Sequence, residues 1–325
     1  MKEPKEPYKL PKRFRVSRGT LWFDHFMNYF IVVGGISVIA AVMGIFVFIF
    51  FQILPLFQGA RVTELSKHKL TESLDEIKAV DMDEWAELPM MIHADGSLEY
   101  LDLSGKRDFA EPKATFNAGE VVEVLNYNPL NRILAAASQS GKFAYAHLGY
   151  RAEFDENTKR TIHPELTVSD WFPLAKEGEQ ITAIDYGEGD TNKMAAALCV
   201  DNSGNQHLRA VTLQQKRSLF GGGGNISIGQ SFDLTSQIDE RVQSLDVSSN
   251  GNLVLAIAES GQIFLFIHEE NQLSLRQRFW PFDNLEEKQI GKTGFLLGDG
   301  SVVFTSKSGH NRIFSLSLDY NEGKR

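Results

Sequence analysis

The hydrophobic pattern divides the chain into two unequal regimes. From Phe26 to Ala60, 35 residues pass without a charged side chain, and Tyr29 to Phe51 is almost wholly apolar. At about 1.5 Å per helical residue that inner stretch spans roughly 35 Å, enough to cross a bilayer with some tilt. No second run of this kind occurs in the 325 residues. The run is longer than a signal-peptide core, and Gln58 occupies the −3 position before Gly59-Ala60, so the pattern predicts an uncleaved anchor.

Beyond the anchor the pattern changes to short apolar strands separated by polar turns, and it repeats. Val122–Tyr127, Ile181–Tyr186 and Val242–Val247 each read as an alternating strand. Each is followed by a turn, then a second apolar strand: Ile133–Ala137, Met194–Val200 and Leu253–Ala258. A Ser-Gly turn and a third strand complete the unit, at Phe143–Leu148, Gln206–Leu213 and Ile263–His268. Two further copies flank these three. Ile77–Asp81, Met90–His93 and Leu98–Leu103 form the first, and Gly294–Leu297, Val302–Ser306 and Arg312–Leu318 form the last.

The inner turn glycines Gly96, Gly141, Gly204, Gly261 and Gly309 are spaced 45, 63, 57 and 48 residues apart. The two long intervals hold apparent insertions, Gly149–Glu165 and Gln214–Asn225, and without them the period suits a four-stranded propeller blade. Fourth strands are expected at Ala114–Asn117, Leu166–Asp170, Ile226–Leu234 and Leu273–Phe279. The fifth unit has none, so either Arg61–Leu65 supplies it and closes a ring, or the chain is a fragment of something longer. A β-sandwich is the competing arrangement, but it does not require a recurring three-strand unit. The expected fold is therefore mainly β: one N-terminal transmembrane helix followed by a β-propeller-like domain of about five blades, with the last incomplete. The corresponding domains are a basic cytoplasmic tail at 1–25, the membrane helix at 26–57 and an extracytoplasmic domain at 61–325.

Charge sets the orientation. Seven Lys and Arg residues precede the span against three acids, and basic flanks stay in the cytoplasm, so the N-terminus reads as inside. Trp22, Phe23 and Phe26 sit where interfacial aromatics belong. The whole chain carries −9, and residues beyond 60 hold 26 basic against 39 acidic side chains, or −13. That balance and the lack of a basic patch with interleaved aromatics exclude a nucleic-acid binder. Gly34, Ser37, Ala41 and Gly44 line one face of the span as a seam for another helix.

No motif carries chemistry. Gly221–Gly224 lacks the Lys-Ser/Thr of a phosphate loop and reads as a hairpin tip. Zinc-protease, CxxC, GxSxG and EF-hand spacings do not occur, and no two histidines lie four apart. Asp81, Asp83 and Glu84 read as a solvated loop, Trp171, Phe279 and Trp280 as packing anchors, and the single cysteine, Cys199, as a buried inert thiol. No residue is assigned as catalytic, cofactor-binding or metal-binding, and the chain reads as a non-enzyme.

The basic tail, the single span, the exit sequence Pro55-Leu56-Phe57-Gln58-Gly59-Ala60 and the stretch Ser218–Gly224 within an exported repeat domain resemble large phosphate ABC transporter permeases of the PstC type. The resemblance implies a bacterial inner-membrane location with the repeat domain in the periplasm. It also implies partners: further permease helices or subunits, a periplasmic solute-binding protein, and membrane lipid. The family's further membrane helices and ATPase-coupling loop are missing from this sequence. The expectation is the N-terminal part of a permease, not transport-competent alone, whose exported domain docks or braces. The alternative is a stand-alone anchored propeller acting as scaffold or sensor. A propeller enzyme or cofactor binder rests only on fold analogy.

Overall fold

The computed structural model describes residues 17–57, 77–103, 116, 119–156, 160–215, 226–283, 288–296 and 298–316. The chain divides into two compact units, 1–68 and 69–325.

In the first unit, α1 (Arg18–Ile53) is a helix of 36 residues in which no residue is buried. It begins eight residues before the expected span, because Ser17 caps it. The Ser17 side chain accepts a hydrogen bond from the Thr20 N–H at 3.1 Å, which satisfies one of the free donors of the first turn. Trp22, Phe26 and Phe30 stack at four-residue intervals, with ring centroids 5.8 and 6.4 Å apart. A short 3₁₀ turn, Leu54–Phe57, ends the helix where Pro55 removes a backbone donor. By length and composition this helix is able to cross a membrane, and a signal sequence meets the same criteria.

Among the described residues the second unit holds five antiparallel sheets. Sheet 1 holds β1 (Ile77–Asp81), β2 (Met90–His93) and β3 (Leu98–Tyr100). Sheet 2 holds β4 (Val122–Asn128), β5 (Ile133–Ser138), β6 (Lys142–Phe154) and β7 (Arg160–Val168), with β8 (Phe172–Pro173) added along β6. Sheet 3 holds β9 (Glu179–Glu188), β10 (Lys193–Asp201), β11 (Gln206–Gln215) and β12 (Ile226–Asp233). Sheet 4 holds β13 (Val242–Val247), β14 (Leu253–Ala258), β15 (Ile263–Glu269) and β16 (Gln272–Phe279). Sheet 5 holds β17 (Ile290–Phe295), β18 (Ser301–Ser306) and β19 (Asn311–Ser315). These are not the two sheets of a sandwich.

Each sheet is a meander whose second turn is the same device. The N–H groups of Gly96, Gly141, Gly204, Gly261 and Gly309 donate to the carbonyls of His93, Ser138, Asp201, Ala258 and Ser306, three residues back. All five glycines have φ between 76 and 90°, the left-handed conformation that a three-residue hairpin with a bulge demands. The first strand of every sheet carries a bulge near its start: Lys78, Glu123, Gln243 and Gly291 are the second residues of their strands, and Thr182 is the fourth of β9. That common landmark corrects the fifth unit, whose first strand is Ile290–Phe295 and not Gly294–Leu297.

Other expectations shift as well. Gly149–Glu165 is not an excursion from the sheet. It extends the β6–β7 hairpin in continuous register, from Ala146 opposite Val168 out to Phe154 opposite Arg160. β3 stops at Tyr100, and β7 starts before Leu166. Of Ala114–Asn117 only Phe116 is described, buried but outside any strand. Asp83 is not solvated: it is buried and accepts from the N–H groups of Trp85, Glu87 and Leu88 at 3.0, 2.9 and 2.5 Å. Trp171 is half-buried and donates to the Phe116 carbonyl at 3.3 Å, whereas Trp280 is exposed. Arg61–Leu65, Ser218–Gly224 and Gln58–Ala60 lie outside the described residues.

Packing explains why the middle strands are apolar on both faces. On β5, Ile133, Ala135 and Ala137 face sheet 3 while Leu134 and Ala136 face sheet 1. On β10, Ala195, Ala197 and Cys199 face sheet 2 while Met194, Ala196 and Leu198 face sheet 4. On β14, Val254, Ala256 and Ala258 face sheet 3 while Leu255 and Ile257 face sheet 5. The period-two alternation of a strand thus feeds two cores, and the alanines let adjacent sheets approach closely. Four apolar clusters join the sheets in chain order, 1 to 2, 2 to 3, 3 to 4 and 4 to 5. Among the described residues no such cluster joins sheet 5 to sheet 1.

The turn glycines differ in how tightly they are enclosed. A Cβ at Gly261 would overlap the Lys288 carbonyl, whereas one at Gly204 would meet nothing within 4 Å. Gly204→Ala should cost about 1 kcal/mol from backbone conformation alone. Gly261→Ala should cost clearly more, read as a larger drop in urea midpoint at unchanged slope.

Candidate functional site

The first strands of sheets 2 to 5 converge on a central cavity of about 530 Å³. The polar groups on its wall include Asn126, Thr182, Asp185, Ser244, Asp246, Lys292 and Thr293. The bulges fix which residues come together. Three positions past each bulge stand Asp81, Asn126, Asp185, Asp246 and Gly294, in sheets 1 to 5. Their cross-strand partners are Met90, Ala135, Ala196, Leu255 and Val303. In sheets 1 to 4 those partners belong to the cluster facing the next sheet, so the polar side chain beside each points the same way.

Each of these side chains reaches forward to the following sheet. The Tyr127 hydroxyl donates to Asp81 at 2.5 Å, supported by Arg132 at 3.3 Å. Asn126 donates its amide N–H to Asp185 Oδ1 at 2.9 Å. Val247 N–H donates to Asp185 Oδ2 at 2.5 Å, and the Thr293 hydroxyl donates to Asp246. Sheet 5 has Gly294 at this position, and the series of links ends there.

Asp185 is the hub. Its carboxyl also accepts from the Tyr186 N–H at 2.8 Å, so one buried group ties sheets 2, 3 and 4 together. Burial and the neighbouring Asp246 push it up to about 8, against the pull of the three N–H donors. Burial likewise pushes Asp246 up to about 6, with Lys292 acting in the opposite direction. Asp246 is half-buried, and it lines the cavity. Two carboxyls facing a single ammonium group make this wall a poor receptor for an anion.

A second polar cluster lies at the turn end of sheets 2 and 3. Glu188 accepts from the Tyr186 hydroxyl at 2.9 Å, pairs with His147 at 3.2 Å and bonds Lys193. Burial raises its pKa, but the three hydrogen-bond partners more than reverse this and hold it at about 2. Tyr145 stacks on Tyr186 with centroids 4.2 Å apart. Across the sheet 4–5 junction, Asp299 accepts from the N–H groups of Ser249 and Asn250 at 3.0 and 2.8 Å.

Among the described residues, those singled out in the sequence lie at separate places. Cys199 is buried between sheets 2 and 3, and burial pushes its thiol up to about 12. His93, His147, His163 and His207 each pair with a separate carboxylate. Among the described residues no group of three metal-binding side chains converges. The Asp81, Asn126, Asp185, Asp246 series escaped sequence reading, although VLNY, AIDY and SLDV are visibly parallel. Only the bulge register shows that their polar residues are equivalent. No protein-family model and no curated protein matches the chain.

Asp185→Ala should destabilise the second unit by about 2 kcal/mol or more, since it leaves Val247 N–H, Tyr186 N–H and the Asn126 amide without their acceptor. Chemical denaturation of the full chain in detergent checks this. Cys199 should react with an aromatic disulfide reagent only after unfolding, at a rate that tracks denaturant concentration.

Proposed function

We propose that this chain is an anchored, non-catalytic component of a bacterial inner-membrane transport assembly, most specifically the N-terminal part of a phosphate ABC transporter permease. In this reading α1 is the anchor. The second unit is a propeller-like module of about five blades on the periplasmic side, used for docking or bracing, and the chain does not transport by itself.

The observation that carries the reading is the serial stacking of five equivalent bulged meanders, with the first strands of sheets 2 to 5 around a common cavity. That is what a radial arrangement of blades requires. The exit sequence and the small-residue face of α1 supply the transporter part of the reading. The cavity chemistry refines it. A wall with Asp185 and Asp246 opposite Lys292 argues against phosphate capture inside the domain, which leaves contact with protein partners as its task.

A second reading, a stand-alone anchored scaffold or sensor, is favoured by one feature. Consecutive sheets are tied by intrachain links from Asp81 through Thr293, so the stack needs no partner to hold it.

The test is genetic and biochemical together. Deleting the chain in its native host should lower uptake of labelled phosphate at limiting concentration. Cross-linking the tagged full chain in membranes should capture permease subunits or a solute-binding protein. Unchanged uptake with cross-links only to unrelated proteins would favour the scaffold reading, and unchanged uptake with no cross-links would remove both.

A further inference from the structure

Four sheets meet on one turn of sheet 4, residues 248–252. The Ser249 carbonyl accepts from the Asn131 side-chain amide of sheet 2 and from the Glu188 N–H of sheet 3, both at 3.0 Å. The N–H groups of Ser249 and Asn250 donate to the two carboxylate oxygens of Asp299, in the first turn of sheet 5, at 3.0 and 2.8 Å. Sheet 3 makes room for the turn with Gly187, where a Cβ would overlap the Ser248 carbonyl. The turn also holds itself. Gly251 N–H donates to the Ser248 carbonyl at 2.9 Å, and Asn250 Oδ1 accepts from the Ser248 hydroxyl and the Asn252 N–H at 2.8 and 3.0 Å.

The apex of this turn is a labile dipeptide. Asn250-Gly251 is the one Asn-Gly pair in the chain. Glycine has no side chain to shield its nitrogen, so in a free chain that nitrogen reaches the preceding asparagine's side-chain carbonyl. Two features of the closed turn oppose the step: the Gly251 N–H is committed to Ser248, and Asn250 Oδ1 is pinned within its own turn. Water is at hand, because Asn250 is half-buried and lines an open recess of about 660 Å³ with His147, Glu188, Asp190 and Asp299.

We propose that Asn250-Gly251 is a latent deamidation site, kept closed by the Asp299 clasp and converted irreversibly when sheet 5 releases the turn. In the open turn the Gly251 nitrogen gives its proton to solvent and bonds to Asn250 Cγ. The bond from Cγ to the amide nitrogen breaks, and ammonia leaves with a proton from water, closing a cyclic imide. Water then adds to one of the two imide carbonyls and opens the ring to aspartate or to isoaspartate, whose backbone runs through one additional carbon. Neither product refits. Aspartate sets another negative charge beside Asp299, on a wall that already carries Glu188 and Asp190. Isoaspartate displaces Gly251, which is hemmed in by the Gly187 and Asn192 carbonyl oxygens, 2.8 and 3.1 Å from where its Cβ would stand. Loss of this one turn removes a joint from sheets 2, 3 and 5 together.

Peptide mapping by mass spectrometry, on the full chain held in detergent at mildly alkaline pH, tests the site. Asn250 should convert about tenfold or more slowly in the folded chain than in urea-unfolded chain, and Asp299→Ala should bring the folded rate close to the unfolded one. Converted chain, once separated, should exchange amide hydrogens faster at 248–253 and 298–303 than unconverted chain. Equal conversion in folded and unfolded wild type, a D299A rate no faster than that of folded wild type, or unchanged exchange in the converted chain would overturn the proposal. Should D299A fail to fold, wild type in urea below its unfolding midpoint decides the matter. Conversion should climb ahead of global unfolding, and a rate that rises only with global unfolding would also overturn it.

Discussion

A small antiparallel sheet with apolar residues on both faces cannot be stable alone, and the second unit is organised by that constraint. β5, β10 and β14 each present one set of side chains forward and another backward, so sheets 2, 3 and 4 must be covered twice. The solution is a stack in chain order, with one apolar cluster at every junction. Cluster composition follows from spacing. Alanines at 135, 137, 195, 196, 197, 256 and 258 bring the sheets close, and larger residues such as Phe143, Phe264 and Phe304 fill the width between them.

Polar links lie inside this apolar frame and give it direction. Burying Asp185 is costly, and the structure offsets the cost with an amide and two backbone donors from three sheets. Because the same strand position recurs, the links run one way, each side chain meeting a hydrogen-bond partner on the following sheet. The series ends at Gly294, which has no side chain to continue it. Hydrophobic packing sets the distance between sheets, while the carboxyls and amide set their register.

Much of this architecture was legible in the chain. Strand positions followed from alternation, because a period of two is what a sheet needs, and the turn glycines marked hairpins because only glycine tolerates that backbone at no steric cost. The extension of β6 and β7 was not legible: Gly149–Glu165 is polar on its exposed side and reads as an insertion until its pairing is seen. Asp83 misled for a related reason. Acids in a short polar run read as solvated, yet its carboxyl caps three backbone donors of a turn that the sequence does not announce. The cavity acids were hidden most completely, since their significance lies in alignment across units of unequal length.

The unbroken order of junctions, each shared by two neighbours only, has a kinetic consequence. Stability in such a stack is a sum of local terms and nearest-neighbour couplings, as in a one-dimensional lattice. The three interior sheets are coupled on both sides. Sheet 3, held by the hub carboxyl and by both alanine faces of β10, is the last of them to lose its neighbours.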